Sequence, residues 1–521
     1  MHRMTRDRAE LGGGAPFDGR TFRFKEDAVV LSARGGERFF EIRAEGRTRS
    51  YRVTRVIGGH HREDYVGVDV ERGGDEIVMP VSWLLGPRKL RYKGYSVMAR
   101  ERPGVRPGPV WSETCIFCHN TYPYVLGLLG AMAGPGAPSY QGAMVDALLP
   151  EARRWRVLVT DEVAMRAAVG DELVRIGGAR PSEGGFLEQA IAGTRASFGA
   201  SDLVELGVGC ESCHLGSRAH ASDPRTKTSF VPRASFLRVV GPGVGTPAVE
   251  TTRACARCHQ VLFSRYPYTW EGGLRRGAPG GSHINSGEAR DFLLGGCASQ
   301  LTCTACHDPH ARDGRAIAAR SETREGDAIC TACHARYAGD EALRAHAHHD
   351  PAGSGGRCVA CHMPKKNMSL EATLTRYHRI GSPTDSERVL RDRPLECALC
   401  HAGERIQTLV GAMERWWGKK YDRAVLEGLY GSLDATPVEA TLARGKPHEQ
   451  ATALFLAGEL RERRLARAVA AHLLHEYPLV RFYAEGALEK ILGRNSPLDL
   501  HKEDDALAAD ARAWLAEAGV R

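Results

Sequence analysis

The sequence predicts a chain in three parts: a small antiparallel β domain over residues 1–105, a mainly α and irregular region over 106–405, and an α-helical, repeat-like tail over 406–521. Three observations predict it. Alternating apolar residues broken by glycine pairs fill the start, one cysteine-rich pentapeptide recurs through the middle, and apolar residues at helical spacing run through the end.

The N-terminal part has no cysteine before Cys115. Thr21–Phe24, Val29–Leu31, Arg38–Ile42, Tyr51–Val56 and Tyr65–Val70 read as strands, and Gly35-Gly36, Glu45-Gly46, Gly58-Gly59 and Gly73-Gly74 as the turns between them. Residues 101–109, Glu-Arg-Pro-Gly-Val-Arg-Pro-Gly-Pro, form a proline-rich joint to the cysteine-rich region.

Seven copies of Cys-x-x-Cys-His define the middle. Their cysteines are Cys115 and Cys118, Cys210 and Cys213, Cys255 and Cys258, Cys303 and Cys306, Cys330 and Cys333, Cys358 and Cys361, and Cys397 and Cys400. The histidines that close them are His119, His214, His259, His307, His334, His362 and His401. Chance would supply about 0.02 such pentapeptides in a chain of this composition, and the pattern is the attachment signature of c-type haem. Two thiols one helical turn apart can add to the two vinyl groups of a porphyrin, and the histidine after them binds the iron from the same side. Seven motifs therefore imply seven covalent haems c and the fold class of a multihaem cytochrome c, with the porphyrins forming much of the apolar core.

Other cysteine chemistry fits less well. Zinc ribbons need two Cys-x-x-Cys pairs per metal and no histidine fixed after each pair, a thioredoxin-like pair occurs once, and a disulfide scaffold would not place a histidine after every second cysteine. The motifs consume all but one of the 15 cysteines; the remaining Cys297 reads as a small buried residue, with a redox or ligand role as the alternative.

A formal charge of +8 points weakly to an anionic partner. Two propionates per haem would bring seven ferric haems to about −7 and the total near neutral, so no nucleic-acid partner is expected. No run of apolar residues is long enough to cross a membrane. Between the first two motifs, residues 120–209 read as a helical insertion, with apolar helical patterns at Ala143–Leu149 and Val163–Ile176. In the tail, Ile406–Arg415 leads into Trp416-Trp417, and helices are expected at about 448–462, 465–477, 479–492 and 504–517. Residues Tyr477–Leu488 resemble the second half of a HEAT-type repeat, which would make a docking surface; a plain helical cap is the alternative.

Six-coordinate haem needs a second axial ligand, most often histidine or methionine. His220, His283, His310, His346, His348, His349 and His378 lie between the first and last motifs, and His60 and His61 are held in reserve. Residues 346, 348 and 349 cannot all serve, so His61 joins the candidates. His448, His472, His475 and His501 read as surface residues of the tail.

Residues 210–220 (Cys-Glu-Ser-Cys-His-Leu-Gly-Ser-Arg-Ala-His), 303–310 (Cys-Thr-Ala-Cys-His-Asp-Pro-His), 348–364, Tyr377-His378-Arg379-Ile380 and the closing Cys397–His401, together with the β segment, resemble the cytochrome c554-related multihaem family, octahaem members included, over about residues 15–405. That resemblance implies an exported electron carrier with a variable helical tail. It makes His220, His310, His348 and His378 the leading distal ligands, with His283, His346 and His61 behind them. Two departures stand out: such proteins usually open with a further Cys-x-x-Cys-His, and their tail is often of the tetratricopeptide kind.

Electron transfer through a chain of covalent haems in the cell envelope is therefore the leading expectation. Its partners would be a quinol-linked donor and a terminal reductase or another cytochrome. The alternative is a multihaem oxidoreductase acting on small nitrogen or sulfur species (nitrite, hydroxylamine, tetrathionate) at one open haem; no catalytic residue is assigned. Some multihaem nitrite reductases carry lysine in place of the motif histidine; no Cys-x-x-Cys-Lys occurs here, which favours a carrier over an enzyme. Haem attachment takes place outside the cytoplasm, so a periplasmic or other extracytoplasmic location is expected. Met1-His2-Arg3-Met4 shows no signal peptide, and a truncated start is expected, with His2 coming shortly after a lost first motif.

Overall fold

The computed structural model describes residues 4–7, 14–93, 98, 100, 104–134, 137–138, 149, 151–215, 217–259, 266–268, 270, 287–311, 318–369 and 371–520. These fall into two compact units, Met1–Gly94 with Arg102–Gln260, and Tyr95–Glu101 with Val261–Arg521.

The first unit opens with eight strands: β1 (Thr5–Asp7), β2 (Asp18–Phe24), β3 (Asp27–Arg34), β4 (Glu37–Ala44), β5 (Arg47–Gly58), β6 (Arg62–Asp69), β7 (Gly73–Leu84) and β8 (Lys89–Tyr92). They pair antiparallel in the order β2 to β8, with β1 added on β5. The hairpins are set by glycine: Gly35 and Gly36, at φ +58° and +79°, form a two-residue loop between Arg34 and Glu37, a left-handed conformation that a side chain would strain. Phe24 on β2 meets Tyr92 on β8 with ring centroids 4.7 Å apart, so the two ends of the sheet approach and the barrel is nearly closed. Phe17 packs edge to face on Phe40 and Tyr65, whose own rings are tilted at 46° to each other.

The expected strands all form, but β7 and β8 are not legible in the sequence. The second half of β7 is buried on both faces, so it shows no period-two alternation. Its neighbourhood explains why. The outer faces of β5, β6 and β7 offer Ile57, Val66 and Val78 to a second core shared with Trp111, Ile116 and Phe117. The described part of the proline-rich joint lies along β7: Gly108 N–H donates to the Val78 carbonyl, and Val78 N–H to that of Pro109.

The rest of this unit holds helices Tyr124–Ala133, Glu162–Arg175 and Phe186–Ser197, with β9 (Arg156–Val159) paired to β10 (Leu237–Val240). The helix expected over Val163–Ile176 is present, while the Ala143–Leu149 pattern, Leu149 excepted, lies outside the described residues.

The second unit is mainly helical. Its tail contains helices Ile406–Trp417, Arg423–Tyr430, Pro437–Arg444, Pro447–Leu460, Ala466–Ala470, Pro478–Leu492 and Asp504–Glu517. The second and third of these are additions to the expected set; Pro437–Arg444 is fixed by Pro437 in its first turn and by a capping box between Thr436 and Glu439. Gly458 lets Pro447–Leu460 and Pro478–Leu492 approach closely, since a Cβ there would sit 3.0 Å from the Ala487 Cα. One expectation is overturned. His448 is not on the surface but 1% exposed, its Nδ1 2.6 Å from the Tyr266 hydroxyl, because the first turn of its helix is folded under the aromatic rings of Tyr266 and Trp270. Among the described residues, no helix is long and apolar enough to cross a membrane.

Candidate haem-attachment sites

Every pentapeptide folds as one helical turn. The histidine N–H donates to the carbonyl of the first cysteine at His119, His214, His259, His307, His334 and His401, over 2.8 to 3.1 Å. Cys358–His362 is a short α-helix. This turn puts both thiols and the imidazole of a motif along one side of the backbone, as a single porphyrin requires. None of the 15 cysteines is in a disulfide, and none is fully buried.

In the first unit, the motif at Cys115–His119 is anchored by its two intervening residues. Ile116 and Phe117 are buried against the sheet at 0% and 4% exposure, each worth about 1.5–3 kcal/mol of apolar burial. Asp64 on β6 lies beside this motif. Lys93 donates to it at 2.5 Å, Arg62 lies at 3.2 Å, and Ser82 donates from β7. Burial alone would raise the Asp64 pKa, but Arg62 and Lys93 outweigh it and hold the carboxyl below its ordinary range. Burial first, and Lys93 second, push His119 down to about 4, so its imidazole is neutral and able to ligate at pH 7.

The other two motifs of this unit gather around it. The Thr121 and Ser212 hydroxyls are 2.8 Å apart, and Arg257 donates to the Ser212 carbonyl at 2.6 Å. A hydrogen bond with the Cys118 thiol, ahead of burial, holds Cys258 at about 7. His214 Nδ1 lies 3.0 Å from the Thr228 hydroxyl, and its ring packs on Phe230.

In the second unit the motifs run in a contiguous series. The Cys330 and Cys358 thiols hydrogen-bond to each other, and Cys361 lies close enough to Cys397 and Cys400 for their charges to interact. Buried Asp327 ties the fifth motif to the sixth, accepting from the Cys358 N–H and the Arg357 guanidinium, each at 2.9 Å. Cys297 is half-buried rather than core, near Cys330 and Cys333.

Three motif histidines of this unit face a second imidazole. Ring centroids are 6.3 Å apart for His307 and His378, 6.0 Å for His362 and His346, and 5.9 Å for His401 and His349. Two imidazoles ligating one metal from opposite sides, with bonds of about 2.0 Å, place their ring centres roughly 6 Å apart. The second nitrogens are oriented: the Nδ1 atoms of His362, His378 and His349 lie 2.9, 3.0 and 2.7 Å from the carbonyls of Gly381, Arg376 and Ala347.

The remaining candidates are placed otherwise. His348 carries the left-handed turn, at φ +55°, that ends the Asp340–Ala347 helix, and it stacks on Trp416 with centroids 5.0 Å apart. That turn sends adjacent rings in different directions, which is why His349 and not His348 lies opposite His401. His220 is exposed on the short Arg218–Ser222 helix with Nδ1 2.8 Å from the Thr226 carbonyl. His310 is exposed beside Asp308, and His61 is exposed between β5 and β6. His283 and His2 lie outside the described residues.

The donor set fits covalent haem: free thiols in pairs, a histidine after each pair, and imidazoles in facing pairs. Among known families, the profile of a doubled CXXCH motif matches residues 297–339, which contain the motifs at Cys303–His307 and Cys330–His334. No curated protein and no solved structure matches the chain.

Proposed function

We propose that the chain is a multihaem c-type cytochrome that carries electrons along covalently attached haems outside the cytoplasm. Haem would be held at all seven Cys-x-x-Cys-His turns, by the paired thiols and the histidine of each. The observation that carries this reading is the set of facing imidazoles, His307 with His378, His362 with His346 and His401 with His349, at the separation axial ligands of one iron require. When bound, each haem supplies a one-electron iron couple, low in potential where both ligands are imidazoles. The chain's own part is to hold the series of turns in contact, to fix ring orientation through carbonyl bonds to Nδ1, and, at buried His119, to keep the imidazole neutral.

A carrier of this kind would exchange electrons with a quinol-linked donor and a reductase or another cytochrome, and the helical tail, of HEAT-like or plain design, would serve as a docking element.

Electron paramagnetic resonance of the oxidised holoprotein tests the reading. Low-spin signals with two imidazole ligands should dominate, and His378→Ala should convert one haem to high spin. High-spin signals from most haems, binding nitrite readily, would replace the carrier with the enzyme.

A further inference from the structure

Among the described residues Trp416 is the one exposed tryptophan, tyrosine or phenylalanine, with 44% of its surface open. It sits in the last turn of the Ile406–Trp417 helix, stacked on His348 at 15° and 6.5 Å from the ring of His349, which in turn faces His401. Trp417 packs against it and donates from its indole N–H to the His346 carbonyl at 2.8 Å, so the indole pair spans the two sites at His362 and His401. Around Trp416, Arg415, Lys419 and Lys420 are exposed, and none has an acidic partner among the described residues. Arg423 is neutralised by Glu414, and Arg344 by Asp350, which leaves Arg415, Lys419 and Lys420, all within four residues of Trp416, as the uncompensated charge of this stretch.

Trp416 packs on His348 and Trp417 with one side and leaves the rest of its ring exposed in a stretch that carries three unpaired cations. The stretch has the composition of an interface centre with an electrostatic rim. We infer that this surface is the docking port through which an acidic redox protein exchanges electrons with the haem held at Cys397, Cys400 and His401. The inference rests on the electron-transfer reading above and adds its partner chemistry. The cations would steer an anionic surface to the indole, and the His348–Trp416 stack would bring the partner's cofactor within reach of the His349–His401 pair.

The test uses oxidised holoprotein and an acidic flavodoxin as the probe. Each encounter moves one electron: the flavin hydroquinone becomes the semiquinone, and one ferric haem becomes ferrous. For the wild type the second-order rate should fall steeply with added salt. Lys419→Glu with Lys420→Glu should slow it at low salt by about tenfold or more, within the range that steering supplies. Trp416→Ala should slow it while leaving the salt dependence in place. Oxidation of the pre-reduced protein by hexaammineruthenium(III), a cation that takes one electron from one ferrous haem, should be unchanged or faster in the charge-reversed protein. Line broadening of flavodoxin resonances on binding, a readout independent of electron transfer, should be lost in the same variants.

Unchanged rates and binding in both variants would overturn the port. So would a wild-type rate indifferent to salt. A changed haem spectrum or stability in the charge-reversed protein, with flavodoxin kinetics intact, would assign the cations to haem propionates instead. If dithionite itself produces no ferrous haem spectrum, the electron-transfer reading fails, and the port fails with it for that separate reason.

Discussion

The two compact units hold the same pentapeptide in different surroundings. In the first, His119 is enclosed with Lys93, Asp64 and Arg62 under the outer face of a barrel, and the motif is anchored by two apolar side chains. In the second, three motif histidines face other imidazoles, and the motifs are tied to one another by thiol contacts and by a buried carboxylate. One attachment turn thus serves two designs. Where a large sheet is present, side-chain burial fixes the motif; where it is not, the motifs and the imidazoles packed beside them fix each other. The second unit should accordingly depend more on bound haem for its order than the first.

The largest expected effect comes from cutting the buried carboxylate of the second unit. Asp327→Ala leaves Arg357, 9% exposed along its side chain, without its partner and should cost about 3–5 kcal/mol in that unit. Asp64→Ala in the first unit strands cations that still reach water, Arg62 at 25% and Lys93 at 20%, and should cost less, about 1–3 kcal/mol. Hydrogen exchange resolved by unit measures both; equal losses would erase the contrast.

The next contrast lies between adjacent histidines. His349→Ala should turn one haem high-spin, while His348→Ala should leave spin state unchanged and alter only the exposure of Trp416. Magnetic circular dichroism distinguishes the two, and the reverse result would exchange their roles.

Acid should separate the units more gently. Burial first, and His472 second, push His475 of the tail down to about 4, so below an ordinary pKa near 6.5 the unfolded chain binds a proton that the folded tail refuses. That contribution is complete above pH 6.5 and is lost as the pH falls to about 4. The Asp64 carboxylate, held below its ordinary range, contributes until the pH falls below about 3.9. In the holoprotein, where iron would hold His119 out of the titration, the tail should therefore loosen before the barrel on acidification, as read from exchange rates of amides in Pro478–Leu492 and in β6; in haem-free protein His119, also pushed down to about 4 by burial, should loosen the first unit over the same range. Loosening in the opposite order would contradict these assignments.

Much of this organisation is legible in the residues. Glycine pairs place the hairpins, and the pentapeptides place the attachment turns, because both are local and fix backbone geometry directly. β7 is not legible because burial on both faces removes its alternation, and the helices Arg423–Tyr430 and Pro437–Arg444 are too short to show a period of their own. The imidazole pairs depend on which way a side chain leaves a turn. His348 and His349 are neighbours in sequence, and a single left-handed residue decides between them. The Lys93–Asp64 pair joins residues distant in sequence and carries no sequence signal. His448 defeats a sequence reading because a histidine near a helix start, three residues before alanine-rich turns, looks exposed until Tyr266 is folded over it.

The central claim is haem at every turn, and the most direct measurement is the haem content of the holoprotein, by pyridine haemochrome against protein concentration and by intact mass. About seven haems c per chain, one per motif, is the result the account predicts. Haem confined to the doubled motif at residues 297–339, with the other thiols free, would contradict it.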